Sequence, residues 1–98
     1  PQHQLARRQM LAFGGMIAFE LRGGLPAGQA LMNRLRVATL VVSLGNVDTI
    51  ISHPASMTHS NMPPQARAEA GISDGLVRLS VGIENIEDLM ADFEQALD

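Results

Sequence analysis

The alternation of apolar and polar residues from Gly75 to Glu84 predicts a β-strand with two different faces. Successive side chains of a strand point to opposite sides of the sheet. Val77, Leu79 and Val81 therefore share one face, which we expect to lie in the core. The residues of the opposite face are Leu76, Arg78 and Ser80.

Arg78 is the first candidate for function, because a guanidinium is rarely buried in a sheet unless an anion pairs with it. Its planar fork can hold a carboxylate or a phosphate through two parallel hydrogen bonds. Two interpretations follow from this pattern. Either Arg78 binds an anionic ligand, or it forms a structural ion pair with Glu20 or Glu84.

Periodicity elsewhere predicts that helices and strands follow one another along the chain. Residues 16–21 alternate like a second strand, and residues 49–53 form a short third one. The clearest helix follows Asn85, a predicted N-cap, because its apolar residues recur every three or four positions. The stripe consists of Ile86, Leu89, Met90, Phe93 and Leu97.

Weaker patterns complete the predicted fold. Helices are expected at residues 4–11, from Pro26 onwards, and from Pro64 to Gly71, while residues 37–42 fit either a strand or an extension of the second helix. The predicted fold class is α+β, a small sheet with helices packed on one face. Arg78 would then lie on the other face, which solvent or another domain would cover.

Composition narrows the chemistry that the chain can perform. Its 98 residues form one domain with a net charge of −3 and no basic run, so we expect no nucleic-acid partner and no membrane span. All seven basic residues are arginines, and both Lys and Cys are absent. This excludes catalysis by a lysine amine or a thiol of this chain. The absence of Cys also favours a reducing compartment, and we expect a cytoplasmic protein.

Several other polar residues have structural interpretations. Ser43, before a Leu-Gly turn, either caps the turn or donates to a ligand oxygen. His53, a predicted polar strand end, and His59 lack a third ligand nearby, so we expect no metal site. Glu84, with Glu87 and Asp88, is expected to be a solvated helix start, and the methionines, notably Met32 and Met90, to fill the core.

Four segments occur together in the chain: Ser43-Leu44-Gly45, residues 51–60 (ISHPASMTHS), residues 70–73 (AGIS) and residues 75–84 (GLVRLSVGIE). In this order and spacing they resemble the carboxy-terminal domain of the cysteine/methionine-metabolism enzymes that use pyridoxal phosphate (PLP). Residues 14–20 resemble the strand that opens that domain. The resemblance covers essentially the whole chain. The family includes cystathionine γ-synthase, cystathionine lyases, O-acetylhomoserine sulfhydrylases and methionine γ-lyase.

The resemblance implies the type I PLP-dependent fold, which is also that of aspartate aminotransferase. Residues 1–98 would be the C-terminal, substrate-side domain. A large domain, absent from this chain, would hold PLP and the lysine that carries it. The resemblance also implies a homo-oligomer, with a homotetramer expected for the parent enzyme. Because the chain opens at Pro1 and not at Met, we expect a piece of a longer polypeptide.

The resemblance also implies roles for single residues. Arg78 would grip the α-carboxylate of an amino-acid substrate, Ser43 would lie beside that carboxylate, and Thr58 near the same pocket. Val42 and Leu44 flank this serine. Enzymes that act on cystathionine often carry a glutamate where this chain has Val42, and an apolar residue suits methionine better. We therefore expect α,γ-elimination of L-methionine, while γ-replacement (cystathionine γ-synthase or O-acetylhomoserine sulfhydrylase) and a non-catalytic binding domain remain alternatives.

Overall fold

The computed structural model describes all residues from Pro1 to Asp98. Helices and strands follow one another in the predicted order, with a short 3₁₀ turn, Pro54–Ser56, after the third strand. None of the helices is both long and apolar enough to cross a membrane. The elements are α1 (His3–Gln9), β1 (Met16–Glu20), α2 (Gly24–Arg34), β2 (Thr39–Leu40), β3 (Ile50–Ser52), α3 (Pro64–Glu69), β4 (Leu76–Ser80) and α4 (Ile86–Leu97).

The strand that carries Arg78, β4, lies in the interior of the sheet. The strand order is β1-β4-β3-β2, with β4 antiparallel to both of its neighbours and β2 parallel to β3. Arg78 is paired with Ala18 of β1 on one side and with Ser52 of β3 on the other. Hydrogen bonding on both sides of β4 therefore fixes the position from which the Arg78 side chain projects.

The core occupies one face of the sheet, where Val77 and Leu79 of β4 contact α2 and α4. Val77 has no exposed surface, and Leu79 is only 7% exposed. The predicted α+β fold with helices on one face is therefore confirmed, and so is the prediction that Met32 fills the core. The core residues are Leu31, Met32, Ala38, Ile51, Val77, Leu79 and Ala96.

Helix α4 buries only part of its predicted apolar stripe, since Leu89 is 6% exposed and Phe93 packs against the core, while the other three residues are largely exposed. Of its apolar stripe, Ile86 and Met90 are each 65% exposed, and Leu97 is 55% exposed. These residues border an open apolar groove beside β1, and the prediction that Met90 fills the core is wrong. The buried residues of the helix are Leu89, Asp92 and Ala96.

The buried carboxylate of Asp92 accounts for this orientation of α4. Its oxygens accept hydrogen bonds from the backbone N–H groups of Arg36 (2.8 Å), Val37 (2.8 Å) and Ala38 (3.0 Å), and from Gln95 Nε2 (3.1 Å). Burial alone would raise the pKa of Asp92, but these four donors together hold it below its ordinary value. Asp92 therefore attaches α4 to the connection between α2 and β2.

The same contact decides the segment 37–42, whose sequence fits either a strand or a helix. The N–H groups of Arg36, Val37 and Ala38 donate to Asp92 and not to the carbonyls one helical turn before them. Helix α2 accordingly ends at Arg34, and the strand β2 that follows is only two residues long, Thr39–Leu40. Neither interpretation is right over the whole segment.

We predict that Asp92→Asn lowers the free energy of unfolding by about 2 kcal/mol at neutral pH, because the charge-assisted bonds to three backbone donors are weakened. The lowered pKa sets the sign of the pH dependence. A carboxylate with a lowered folded-state pKa contributes fully above its ordinary value of 3.8, and the contribution is lost as the pH falls through the folded-state pKa. Urea unfolding at neutral and acidic pH measures this.

The matched control for Asp92→Asn is Glu94→Gln, an exposed acid on the same helix. It should change the free energy of unfolding by less than about 0.5 kcal/mol. An Asp92→Asn protein as stable as the Glu94→Gln protein at neutral pH would contradict the structural role of Asp92.

His53 directly follows the last residue of β3, at the strand end as predicted, but it lies inside the domain. The side chain has no exposed surface. Its Nε2 lies 2.7 Å from the carbonyl oxygen of Asp74, and its Nδ1 lies 2.7 Å from Ser56 Oγ. A carbonyl only accepts, so Nε2 donates to Asp74, while Nδ1 is hydrogen-bonded to the Ser56 hydroxyl. The ring thus joins the 3₁₀ turn to the segment before β4.

Gly28 of α2 leaves the space that the His53 ring occupies. A Cβ atom at position 28 would lie only 2.3 Å from His53 Nε2. We therefore predict that Gly28→Ala destabilises the protein by about 2 kcal/mol, although alanine normally stabilises a helix interior by about 1 kcal/mol over glycine.

The reverse substitution two residues along the helix, Ala30→Gly, provides the control for Gly28→Ala. Ala30 is exposed, so glycine there should cost only the difference in helix propensity, about 1 kcal/mol. Melting temperatures of the two variants and the parent measure both effects. A Gly28→Ala protein that melts above its parent would contradict the contact with His53.

Candidate functional site

The side chain of Arg78 is half-buried and is anchored by two backbone carbonyl groups. Its Nη2 donates to the carbonyl oxygen of Ser43 at 2.8 Å and to that of Val42 at 3.3 Å. Its Nε is buried and has no hydrogen-bond partner. The two carbonyl dipoles orient the guanidinium, but they carry no net charge and leave most of its donors unused.

Neither glutamate proposed as an ion-pair partner for Arg78 contacts it. Glu20 Oε1 accepts from Ser73 Oγ at 2.9 Å, and the Glu84 carboxylate is bound to Thr49. The salt bridge of this chain joins other residues, Arg67 and Asp74, at 3.0 Å. The structural ion-pair interpretation is therefore wrong, and the positive charge of Arg78 has no carboxylate partner within the chain.

Both carbonyls that hold Arg78 belong to residues 41–48, which we call the arginine loop. The loop begins where Val41 N donates to the carbonyl of Ile51 at 3.1 Å, and near its end the carbonyl of Val47 accepts from Ile83 N at 2.8 Å. In its middle, Gly45 N donates to Ser80 Oγ at 3.0 Å. The loop is thus attached to the sheet at three points.

The hydroxyl of Ser43 makes no hydrogen bond within the chain, so it does not cap the turn. Only its backbone carbonyl is used, as an acceptor for Arg78. Of the two interpretations open for Ser43, the one that survives is a hydroxyl able to donate to a ligand oxygen. The turn itself depends on Gly45, whose φ of +75° is in the left-handed region that favours glycine.

Glu84 holds the far end of the arginine loop, a structural role that its prediction as part of a solvated helix start did not include. Its Oε1 accepts from Thr49 N and its Oε2 from Thr49 Oγ1, both at 2.6 Å. The same hydroxyl oxygen accepts from Gly82 N at 2.9 Å. These bonds from the Thr49 side chain and backbone lower the pKa of Glu84 and keep it ionised. Thr49 itself has no exposed surface.

The structure groups some of the predicted site residues and separates others. Val42 and Ser43 adjoin Arg78 through their carbonyls, and the side chains of Val42 and Leu44 are 54% and 56% exposed. Leu44 lines a cavity of about 300 Å³ beside the loop. Thr58 is exposed, with its hydroxyl 2.7 Å from His59 Nδ1, and no hydrogen bond links it to Arg78. No group of three or more acidic or histidine side chains is arranged to hold a metal ion.

Ser80 is the site residue that the sequence analysis did not single out. It lies two positions after Arg78 on the same face of β4, it is only 3% exposed, and its hydroxyl holds the arginine loop through Gly45. The available signal was its place beside Arg78 in the alternating pattern. The acceptor role could not be read from the sequence, because Gly45 lies 35 residues away.

The family model for Cys/Met metabolism PLP-dependent enzymes matches residues 1–98, the whole chain. The chain belongs to this family. The family and the fold class predicted from the motifs are therefore confirmed.

Members of the family resemble the chain strongly over a limited part of their own length. The L-methionine gamma-lyase of Pseudomonas putida is 59% identical over 97 residues, which are 99% of this chain and 24% of that protein. The L-methionine gamma-lyase of Fusobacterium nucleatum subsp. polymorphum is 57% identical over 98 residues, which are 100% of this chain and 25% of that protein.

A solved structure of the family also has the same fold. The crystal structure of cystathionine gamma synthase from Xanthomonas oryzae pv. oryzae, in complex with aminoacrylate and cysteine, superposes with a TM-score of 0.87. It is 56% identical, and the match covers 99% of this chain and 25% of that one. The chain thus spans about a quarter of the length of these relatives.

The residues of this chain do not fit the covalent attachment of PLP. The chain contains no lysine, so it has no ε-amine to carry the aldehyde of the cofactor. What the chain does offer is a preoriented guanidinium with unused donors, which suits a carboxylate. Such a group can bind and orient an anion, and a lysine that carries the cofactor would have to lie outside this sequence.

Proposed function

We propose that this chain is the C-terminal, substrate-side domain of a PLP enzyme of sulfur amino-acid metabolism, and that Arg78 binds the α-carboxylate of its amino-acid substrate. The observation that carries the proposal is the Arg78 guanidinium, which two carbonyls orient and no carboxylate of the chain neutralises. In such an enzyme PLP supplies the electron sink. Arg78 supplies the fixed position of the reacting amino acid.

The atoms around Arg78 suit the carboxylate of an amino-acid substrate. One guanidinium presents two parallel donors, which is the geometry that a carboxylate matches. The unused hydroxyl of Ser43, the residue whose own carbonyl accepts from Nη2, provides a further donor. We assign Val42 and Leu44, whose side chains are exposed beside this point, to the part of the pocket that meets the rest of the substrate. Thr58 is assigned to the rim of the same pocket.

For the whole enzyme we propose α,γ-elimination of L-methionine. The apolar side chain of Val42 supports a substrate whose distal end is an uncharged thioether, because it offers no partner to a second ammonium group. The relatives from P. putida and F. nucleatum carry the corresponding name. The alternative is γ-replacement, as in a cystathionine γ-synthase or an O-acetylhomoserine sulfhydrylase, and it is favoured by the likeness to the X. oryzae enzyme. Product analysis with methionine alone, and with O-acetylhomoserine plus sulfide, separates the two activities.

The proposed partner of the Arg78 face is the large, PLP-holding domain of the same enzyme. Exposed apolar side chains on and around the arginine loop support this, since clusters of such side chains tend to lie in interfaces. A cytoplasmic homotetramer is the assembly that we propose for the enzyme, and sedimentation of the full-length protein tests it. The exposed apolar residues are Met16, Val42, Leu44 and Val47.

In the full-length enzyme we predict that Arg78→Ala lowers kcat/KM by the equivalent of about 2–4 kcal/mol, because a charge-assisted bidentate contact is removed. Arg78→Lys should recover only part of the loss, since an ammonium cannot reproduce the planar fork. Steady-state kinetics with L-methionine measure both variants, and cofactor absorbance and melting temperature should barely change.

Arg34→Ala is the matched control for Arg78→Ala, because Arg34 is an exposed arginine at the end of α2. It should leave kcat/KM unchanged. If Arg78→Ala unfolds the protein, or leaves KM and kcat intact, Arg78 is a structural residue and the assignment is wrong.

The substrate assignment predicts that Val42→Glu shifts the preference of the enzyme from methionine towards cystathionine. A carboxylate at this exposed position could pair with the distal ammonium of cystathionine, which methionine lacks. The ratio of kcat/KM for the two substrates measures the shift. Val47→Glu, an equally apolar and exposed position of the same loop, is the control. Equal ratios in the Val42→Glu and parent enzymes would show that Val42 does not face the substrate side chain.

A further inference from the structure

We propose that Ser80 is a positioning residue, which acts on the substrate carboxylate through the arginine loop and Arg78. This inference rests on the proposed function and names a further residue of the same site. Ser80 Oγ accepts a hydrogen bond from Gly45 N at 3.0 Å. Two residues before Gly45 is Ser43, whose carbonyl is the shorter of the two contacts to Arg78 Nη2.

The bond from Gly45 to Ser80 restrains the loop on the C-terminal side of these carbonyls, two residues after Ser43. Ser80 and Arg78 project from the same face of β4, two positions apart, so one rigid strand presents both the guanidinium and the hydroxyl that holds its partner loop. Because Ser80 is only 3% exposed, water does not compete with Gly45 N for its hydroxyl oxygen. The position of Val42 and Ser43 relative to Arg78 is therefore set from within the strand.

The two ends of the arginine loop are restrained independently of Ser80. Val41 is tied to Ile51 at one end, and the bonds between Thr49 and Glu84 secure the other. Removing the Ser80 hydroxyl therefore frees the middle of the loop and leaves the loop itself in place. The guanidinium then loses its fixed direction while β4 and the core keep their structure.

A double-mutant cycle in the full-length enzyme tests this role, with kcat/KM for L-methionine as the readout. Ser80→Ala should lower kcat/KM by about 2- to 10-fold, the effect of one neutral hydrogen bond, with little change in melting temperature. In the Arg78→Ala background the same substitution should change nothing, because the group that it positions is gone. The control is Ser60→Ala, which also removes one serine hydrogen bond, the one from the exposed Ser60 hydroxyl to the carbonyl of Met57.

The outcomes of this cycle separate the positioning role of Ser80 from the proposed function of Arg78. The positioning role is overturned if Ser80→Ala lowers kcat/KM equally in both backgrounds. It is also overturned if Ser80→Ala leaves kcat/KM of the parent unchanged while Arg78→Ala lowers it. In both cases the proposed function still stands. An Arg78→Ala enzyme with normal kcat/KM overturns the proposed function and this inference together. If Ser80→Ala lowers the melting temperature strongly, Ser80→Cys replaces it, because a thiol fills the place of the hydroxyl and accepts only weakly. If neither variant keeps the parent melting temperature, Ser80 is a folding residue and the positioning role is overturned.

Discussion

The hydrogen bonds from Arg78 to the carbonyl groups of Val42 and Ser43 are the interaction on which this account depends. A carbonyl dipole directs a guanidinium without cancelling its charge, whereas a carboxylate would do both. Every acid that the sequence offered as a partner is engaged elsewhere, Glu20 with Ser73 and Glu84 with Thr49. The arginine is thus held in one direction and remains available to an anion from outside the chain.

The fold places this arginine by means of backbone bonds and buried polar side chains. The interior strand β4 fixes its origin, since β1 and β3 pair with β4 on both sides. Buried polar groups that are fully bonded specify a structure more narrowly than apolar contacts, which tolerate sliding. Asp92 fixes the exit of α2 in this way, and Thr49 with Glu84 fixes the end of the arginine loop. The binding group is therefore built on the rigid part of the domain.

The elements that the sequence predicted well are those whose pattern is local. The alternation around Arg78 located β4 and its two faces, and Asn85 was correctly identified as the N-cap of α4, since its Oδ1 accepts from Glu87 N. The misplaced residues have partners far along the chain. Asp92 bonds to Ala38, 54 residues away, and the burial of His53 depends on a carbonyl 21 residues away. Such contacts leave no periodic signal, so the buried face of α4, which includes Asp92 beside Leu89, was predicted only in part. The roles that we propose for Arg78 and Ser43 came from the family motifs, because a local pattern cannot separate an anion site from an ion pair.

The most direct test of the central claim compares a substrate with its neutral counterpart. L-methionine carries an α-carboxylate, and L-methioninamide carries an uncharged amide of nearly the same size. The affinity of the full-length enzyme for each can be measured in the parent and in the Arg78→Ala protein. The account predicts that the parent prefers the carboxylate by about 10- to 1000-fold, and that the preference disappears with the guanidinium. A preference that survives the loss of Arg78 would show that another group binds the carboxylate, and would contradict the account.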